Sequence, residues 1–305
     1  MMDQFEGVLP ALITPFTEDG SAVDTAALAG LVERCIGAGV SGLVSTGSTG
    51  EFMTLAHEER RQVTEAVVAA AAGRVPTIAG TGALSTAETI ALSVHAENAG
   101  ATAVMIVPPF YTPLSWPELV AHLAAVADRI SIPIMYYNLP SATGITLTLE
   151  RLAELKRVAR VTSFKDTGGD AIAATAFFQS DDDLPTLLNG YDTLTFSALA
   201  AGVRGVVWGA ASFIPAACVE LHRLLIEHPD LAAARSLWAR IWPVCDFLES
   251  VEYAAAVKAA CRHVGISTGP VRAPLLDLSA DQQAELGRLM DPLRMTGLSQ
   301  PSATA

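Results

Sequence analysis

The sequence predicts an α/β fold, a (β/α)8 TIM barrel with a C-terminal helical extension. Three observations carry that expectation. Short apolar strand patterns alternate with helical patterns eight times before the strands stop near residue 230. No Gly-x-Gly-x-x-Gly turn follows the first strand, which tells against the open doubly wound sheet that alternation also permits. The 305 residues, 51% apolar and only 17% charged, supply a large buried core and are unlike a disordered chain. The expected division is a catalytic barrel over 1–229, a helical extension over 230–295 and a frayed tail over 296–305.

The first strand is read over 7–14, and the helix following Asp24 runs to about Ala38. A second strand, 42–45, leads into Thr46-Gly47-Ser48-Thr49-Gly50-Glu51 and then an Ala- and Val-rich helix from about Leu55 to Ala72. Strand three is 75–79. Ser85-Thr86-Ala87-Glu88 then offers a capping box, in which hydroxyl and carboxylate satisfy orphan N–H groups of the first helical turn. Strand four, 103–107, ends in Pro108-Pro109-Phe110-Tyr111, and Ser115-Trp116-Pro117-Glu118 is a second box. Strand five, 134–137, is followed by Asn138-Leu139-Pro140-Ser141-Ala142-Thr143-Gly144 and a helix over about 149–156. Strand six begins at Val161 and carries Lys165 just before Gly168-Gly169, with a short helix from about Ala171. Strand seven, 186–188, precedes Asn189-Gly190-Tyr191-Asp192; strand eight, 205–208, precedes a helix from Pro215 that continues past Leu225. Helical patterns from about Leu231, Tyr253 and Ser279 make the extension, the last opened by a Ser-x-x-Gln box.

The balance of 32 acidic against 19 basic residues, net −13, argues against nucleic acid or an anionic membrane surface as partner. The longest purely apolar run, Ala66 to Ala72, is far short of the ~18 residues a membrane span requires. The acidic amino terminus is unlike a signal peptide. Cys35, Cys218, Cys245 and Cys261 are widely spaced in helical stretches, so buried free thiols in a reducing cytoplasm are the expectation.

In such barrels the active site lies at the carboxyl ends of the strands. There the sequence delivers the Gly47–Glu51 turn, Tyr111, Tyr137, Asn138, Lys165, Asn189 and Trp208. A lysine among apolar neighbours is costly as an ammonium, and its common task is to attack a carbonyl as the free amine. Taken alone, the stretch around Lys165 also admits a lysine that snorkels out to pair with Asp166. The glycine turn can aim backbone N–H groups and two hydroxyls at an anion, or merely cap the following helix. A phenol can shuttle protons when a neighbouring hydroxyl relays them. All six histidines fall in helical stretches, which speaks against metal-dependent chemistry, so no metal and no separate cofactor is expected.

Together, Thr14-Pro15-Phe16, Gly47-Ser48-Thr49-Gly50-Glu51, Tyr137-Asn138-x-Pro140, Lys165 and Asn189-Gly190-Tyr191-Asp192 resemble the dihydrodipicolinate synthase / N-acetylneuraminate lyase family of class I aldolases, from about Gly7 to near residue 295. By that resemblance Lys165 forms the Schiff base with pyruvate or another 2-oxo acid, a covalent imine in place of a cofactor. Tyr137 relays protons, and Ser48 and Thr49 on the Gly47 turn hold the carboxylate, with Ser48 also passing protons. Val207, Asn189 and Trp208 are further substrate-contact candidates. Tyr111 corresponds to a tyrosine that reaches across a tight dimer into the neighbouring subunit, implying a homotetramer built as a dimer of dimers. The implied reaction cleaves or forms a 4-hydroxy-2-oxo acid with an aldehyde as second component. A 2-keto-3-deoxy sugar-acid dehydratase using the same imine is the alternative, and a catalytically silent 2-oxo acid binding protein is the alternative outside catalysis.

The departures are specific. Where the synthase branch carries an arginine for the aldehyde's carboxylate, this chain has Ala142; losing a bidentate clamp is not conservative. Leu84 and Phe110 replace polar groups of the lysine-inhibited members, although His57 and Glu88 remain. Thr193 stands where the sialate lyase branch has a sugar-binding glutamate. Trp208 either narrows the pocket or packs in the barrel layers. Ala142 and Trp208 together lead to the expectation of a less polar acceptor than an amino-acid semialdehyde or sialic acid, and so of an enzyme that is not a standard dihydrodipicolinate synthase.

Overall fold

The computed structural model describes residues 5–180 and 183–294. The expected tail over 296–305, and residues 181 and 182, lie outside the described residues. Eight strands form one parallel sheet in the order β1-β8-β7-β6-β5-β4-β3-β2. They are β1 (Gly7–Pro10), β2 (Leu43–Ser45), β3 (Thr77–Gly80), β4 (Ala103–Ile106), β5 (Ile134–Asn138), β6 (Val161–Asp166), β7 (Thr186–Asn189) and β8 (Gly205–Trp208). The two ends of the order meet: Ala11 bridges Val44, and the Leu12 N–H donates to the Val44 carbonyl at 2.9 Å. The sheet therefore curls into a nearly closed barrel, which removes most of the edge an open sheet exposes. β1 is shorter than the 7–14 read from sequence. Past Leu12 the chain leaves the barrel, and the Phe16 N–H donates instead to the Thr268 carbonyl.

The helices are α1 (Thr25–Gly37), α2 (His57–Ala71), α3 (Thr86–Ala99), α4 (Trp116–Ala127), α5 (Pro140–Thr143), α6 (Leu149–Ala159), α7 (Ala171–Phe178), α8 (Thr195–Ala201) and α9 (Pro215–His222) around the barrel. The extension adds α10 (Leu231–Ser250), α11 (Tyr253–His263) and α12 (Ala280–Arg294). α5 is a single turn, too short to register as a periodic pattern. Of the three capping boxes, the one at Ser279 forms in full and the one at Ser115 through its carboxylate half. Glu118 accepts from the Ser115 N–H at 2.8 Å; Ser279 and Gln282 exchange bonds at 2.9 and 3.2 Å. In the third, Ser85 accepts from the Glu88 N–H at 3.2 Å, but the Glu88 carboxylate turns to His57 at 2.8 Å.

Side chains alternate between the barrel interior and the helix layer, with period two. Leu9, Val44, Met105, Met135, Leu188 and Val207 fill the interior. Val206, Trp208 and the inner faces of α1 and α9 form the outer core, and Leu237, Ile241, Val244 and Val257 of the extension join it. Each such burial contributes about 1.5–3 kcal/mol, so the extension is packed onto the barrel as part of one core. Among the described residues no helix is long and apolar enough to cross a membrane.

Candidate active site

β5 and β6 pair so that Tyr137 lies beside Lys165 and Asn138 beside Asp166. Lys165 points into the barrel mouth at 6% exposure, its Nζ 4.3 Å from the centroid of the Tyr137 ring. The ring face attracts the cation, so the packing that shelters the amine also orients it. Asp166 accepts from Asn138 Nδ2 at 2.7 Å and from the Gly168 N–H at 3.0 Å. Burial pushes its carboxyl up from the ordinary range in spite of these bonds. Asp166 thus has its own partners on the far face of the strand, and the snorkelling reading of Lys165 is set aside. Gly190 makes the lysine's conformation possible, because a Cβ there would lie 2.6 Å from Lys165 Cγ and Cε.

Lys165 opens into a cavity of about 330 Å³. Ser48 and Thr49 enter from the turn after β2, Tyr137 from β5 and Val207 from β8. That turn is held by the Gly50 N–H donating to the Gly47 carbonyl at 3.0 Å and by Thr14 Oγ1 donating to the Gly50 carbonyl at 2.7 Å. Gly47 borders an adjoining recess that shares Ser48 and Tyr137. Lysine amine, phenol and hydroxyl-bearing turn therefore converge on one space. Among the described residues no group of three or more His, Cys, Asp and Glu is gathered to hold a metal ion.

The opposite wall is acidic. Asp192, 3% exposed, accepts from Tyr253 Oη at 2.8 Å. Burial pushes its carboxyl up to about 7, with the Tyr253 bond and the Lys165 charge opposing and the neighbouring Glu249 adding to the rise. Glu249 accepts from the Thr193 N–H at 3.1 Å and from Thr193 Oγ1 at 2.7 Å, and burial raises it as well. Tyr253 fits only because position 209 is glycine: a Cβ there would lie 2.1 Å from its hydroxyl. Among the described residues lining the cavity, Lys165 is the one with a basic side chain.

The Dihydrodipicolinate synthetase family model matches residues 4–292. The chain belongs to that family. It is a pyruvate-dependent enzyme of the class I aldolase type, a lyase. It is similar to the 4-hydroxy-tetrahydrodipicolinate synthase of Methanopyrus kandleri, at 38% identity over 291 residues, covering 95% of this chain and 97% of the relative. In structure it is similar to the dihydrodipicolinate synthase from Aquifex aeolicus, with TM-score 0.88, 30% identity, and 97% and 99% of the two chains covered. It is equally similar to a prophage protein of the dihydrodipicolinic acid synthase family from E. coli K12, solved in complex with pyruvate (TM-score 0.88, 30% identity, 95% and 99% covered).

Within this family frame, two residues expected at the substrate lie elsewhere. Trp208 is 1% exposed on the outer face of β8, tilted against Trp238 at 6.3 Å between ring centroids. Alternation decides this: Val207 faces the cavity, so its neighbour cannot. Asn189 is likewise on the outer face of β7, and its Nδ2 donates to the Tyr191 carbonyl at 2.9 Å and to Thr195 Oγ1 at 3.0 Å. It ties the turn that presents Gly190 and Asp192. Tyr111 is 88% exposed and does not line the cavity of its own chain. The sequence reading missed Asp192, Glu249 and Tyr253 as site residues. Asp192 lay inside a quoted motif, while Glu249 and Tyr253 flank the break between two helices of the extension. That break was the available signal.

Proposed function

We propose that the chain is a Schiff-base aldolase that cleaves or forms a 4-hydroxy-2-oxo acid, with pyruvate as the enamine-forming component. The observation that carries this reading is the sheltered Lys165 amine over the Tyr137 ring, facing Ser48 and Thr49 across one cavity. The amine adds to the C2 carbonyl of pyruvate; loss of water leaves a protonated imine. That imine is an electron sink, so a proton leaves C3 and the resulting enamine attacks the aldehyde carbon. Hydrolysis of the product imine returns the amine. Tyr137 carries protons to and from the departing oxygen, helped by Ser48, while Ser48 and Thr49 on the Gly47 turn hold the carboxylate. A relative of this family solved with pyruvate supports the choice of 2-oxo acid.

For the aldehyde, relatives named 4-hydroxy-tetrahydrodipicolinate synthase favour the amino-acid semialdehyde that such an enzyme condenses. The cavity favours something else. Ser141 is its residue nearest the missing arginine position, Ala142 is exposed, and the far wall holds Asp192, Glu249 and Tyr253. A wall of hydrogen-bonding carboxyls with no arginine beside it suits an acceptor bearing hydroxyls better than one whose carboxylate needs a cation. The sequence-based expectation of a less polar acceptor rested on Ala142 and Trp208 together; with Trp208 packed on the outer face of β8 it loses one of its two supports, and the acidic far wall leads us to replace it. We therefore favour a hydroxyaldehyde. The dehydratase reading keeps one supporting observation: an acid that holds its proton to about pH 7 beside Lys165 could protonate a leaving hydroxyl. We further assign the exposed Tyr111 to a homo-oligomer in which it reaches the neighbouring subunit, and the buried, unpaired cysteines to a cytoplasmic setting.

Borohydride reduction in the presence of pyruvate, followed by peptide mass mapping, tests the reading. A pyruvate adduct on Lys165 is expected. Absence of any adduct on the folded protein, with pyruvate and with other keto acids, overturns it. Product analysis then separates the two lyases: release of pyruvate marks the aldolase, retention of every carbon the dehydratase.

A further inference from the structure

The turn that presents Ser48 and Thr49 is bounded by two non-glycine residues in the left-handed region, Thr46 at φ 51° and Glu51 at φ 55°. Side chains disfavour that backbone, and it persists only where the surroundings over-determine it. Here they do so from three directions. Thr46 Oγ1 donates to the Gly80 carbonyl at 2.8 Å, Thr14 Oγ1 donates to the Gly50 carbonyl at 2.7 Å, and the Glu51 carboxylate is gripped from the extension.

That last hold is unusual in its burial. Glu51 and Lys258 both have fully buried side chains, with Oε1 and Nζ 2.5 Å apart. Glu51 Oε2 accepts from the Arg272 N–H at 2.9 Å, and Lys258 Nζ also donates to the Pro270 carbonyl at 2.9 Å. The Phe16 ring lies under both cations, 3.9 Å from Lys258 Nζ and 4.1 Å from Arg272 Cζ. Arg272 in turn forks onto Glu59 of α2 at 2.6 and 2.7 Å. The pair lies outside the cavity, so it touches no substrate. Two ions taken wholly out of water are a weak source of stability, since well-packed neutral residues often serve as well; such pairs are better explained by the geometry they impose.

We propose that Glu51 and Lys258 are positioning residues for pyruvate: by clamping the end of the β2 turn to α11, they hold Ser48 and Thr49 where the 2-oxo acid's carboxylate binds. The inference rests on the reading of Ser48 and Thr49 as carboxylate holders. It places part of the affinity for the 2-oxo acid in the extension, far along the chain from the lysine that performs the chemistry.

The test compares two ketones in borohydride trapping at Lys165, pyruvate and hydroxyacetone, which lacks the carboxylate. The double variant Glu51→Gln/Lys258→Met removes both buried charges at nearly constant volume. Its half-saturating pyruvate concentration is expected to rise about tenfold or more, as displacement of a positioning group by a fraction of an ångström produces. Trapping by hydroxyacetone and kcat at saturating pyruvate are expected to stay at wild-type values. Glu51→Asp, which keeps the charge and shortens the reach, serves if the double variant does not fold, with a smaller rise for pyruvate alone. A wild-type pyruvate dependence in either folded variant overturns the inference, as does an equal rise for both ketones, which would mean that Lys165 itself had moved. Ser48→Ala/Thr49→Val separates the premise. If that variant binds pyruvate as the wild type does, the carboxylate-holding reading fails and takes the inference with it.

Discussion

The two walls of the cavity are built in different ways. The wall of Lys165, Tyr137, Ser48 and Thr49 is mounted on strands β5 and β6 and the turn after β2, where hydrogen-bonded register fixes each side chain relative to the next. The wall of Asp192, Glu249 and Tyr253 comes from the β7 turn and two helices of the extension, joined by side-chain hydrogen bonds at 2.7–3.1 Å. The first wall holds an amine and a phenol, the second two carboxyls that burial pushes up from the ordinary carboxylate range, Asp192 to about 7. The difference defines a testable division: on the proposed reading, the strand-mounted wall carries the lysine chemistry, and the wall of the β7 turn and the extension selects what is joined to pyruvate. Variants in each wall can break or sharpen that division.

The largest effect belongs to Lys165→Met. It removes the one amine among the described residues of the cavity, so turnover is expected to fall by at least about a thousandfold. Borohydride trapping should vanish, while the melting temperature holds or rises because a buried polar group gives way to an apolar one of similar length. Residual trapping mapped to any other lysine would break the assignment. Tyr137→Phe comes next. The ring still packs under the amine, but proton relay is lost, and kcat is expected to fall by about 10²–10⁴-fold with the fold intact. A loss below about tenfold would move the relay to another group.

The contrast also explains what could be read from the sequence. The first wall follows from local patterns: strand periodicity puts Lys165, Tyr137 and the Gly47 turn at strand ends, and barrel topology collects strand ends at one mouth. The second wall depends on where α10 and α11 dock, which no periodicity encodes; Glu249 and Tyr253 look like ordinary helical residues. Trp208 and Asn189 failed for a finer reason. A strand end is known to within a residue or so, and one residue exchanges the cavity face for the helix face. Val207 of the same strand lines the cavity by the same parity that turns its neighbour outward.

Asp192→Asn and Glu249→Gln sharpen the comparison at intermediate size. Each keeps shape and some hydrogen bonding while removing an acid from the acceptor wall. Trapping of pyruvate should be unchanged, whereas KM for a hydroxyaldehyde should rise by about tenfold or more and tolerance of a carboxylate-bearing aldehyde should improve. Equal losses in trapping and in acceptor KM would merge the two walls into one. Asp192 also has a pH signature. Its carboxyl keeps its proton to about 7 in the fold against an ordinary 3.8. The folded state thus binds the extra proton between those values. Stability that is full below the lower one declines as pH rises through the upper one. Asp192→Asn is expected to flatten that decline, visible as a melting temperature that changes less from pH 5 to 8.

The smallest effect is expected outside both walls. Trp208 is one residue from Val207, yet its indole fills the layer between β8 and α10 against Trp238. Trp208→Phe keeps an aromatic ring and leaves a modest void, so it should cost about 1–2 kcal/mol of stability by chemical denaturation. Its kcat and its KM for pyruvate and aldehyde should stay within about twofold of wild type. A change in acceptor preference without loss of stability would return Trp208 to the pocket and move specificity from the extension to the last barrel strand. The structure predicts the reverse: strand parity has made Trp208 a packing residue, and the width of the cavity at that strand is set by Val207 and Gly209.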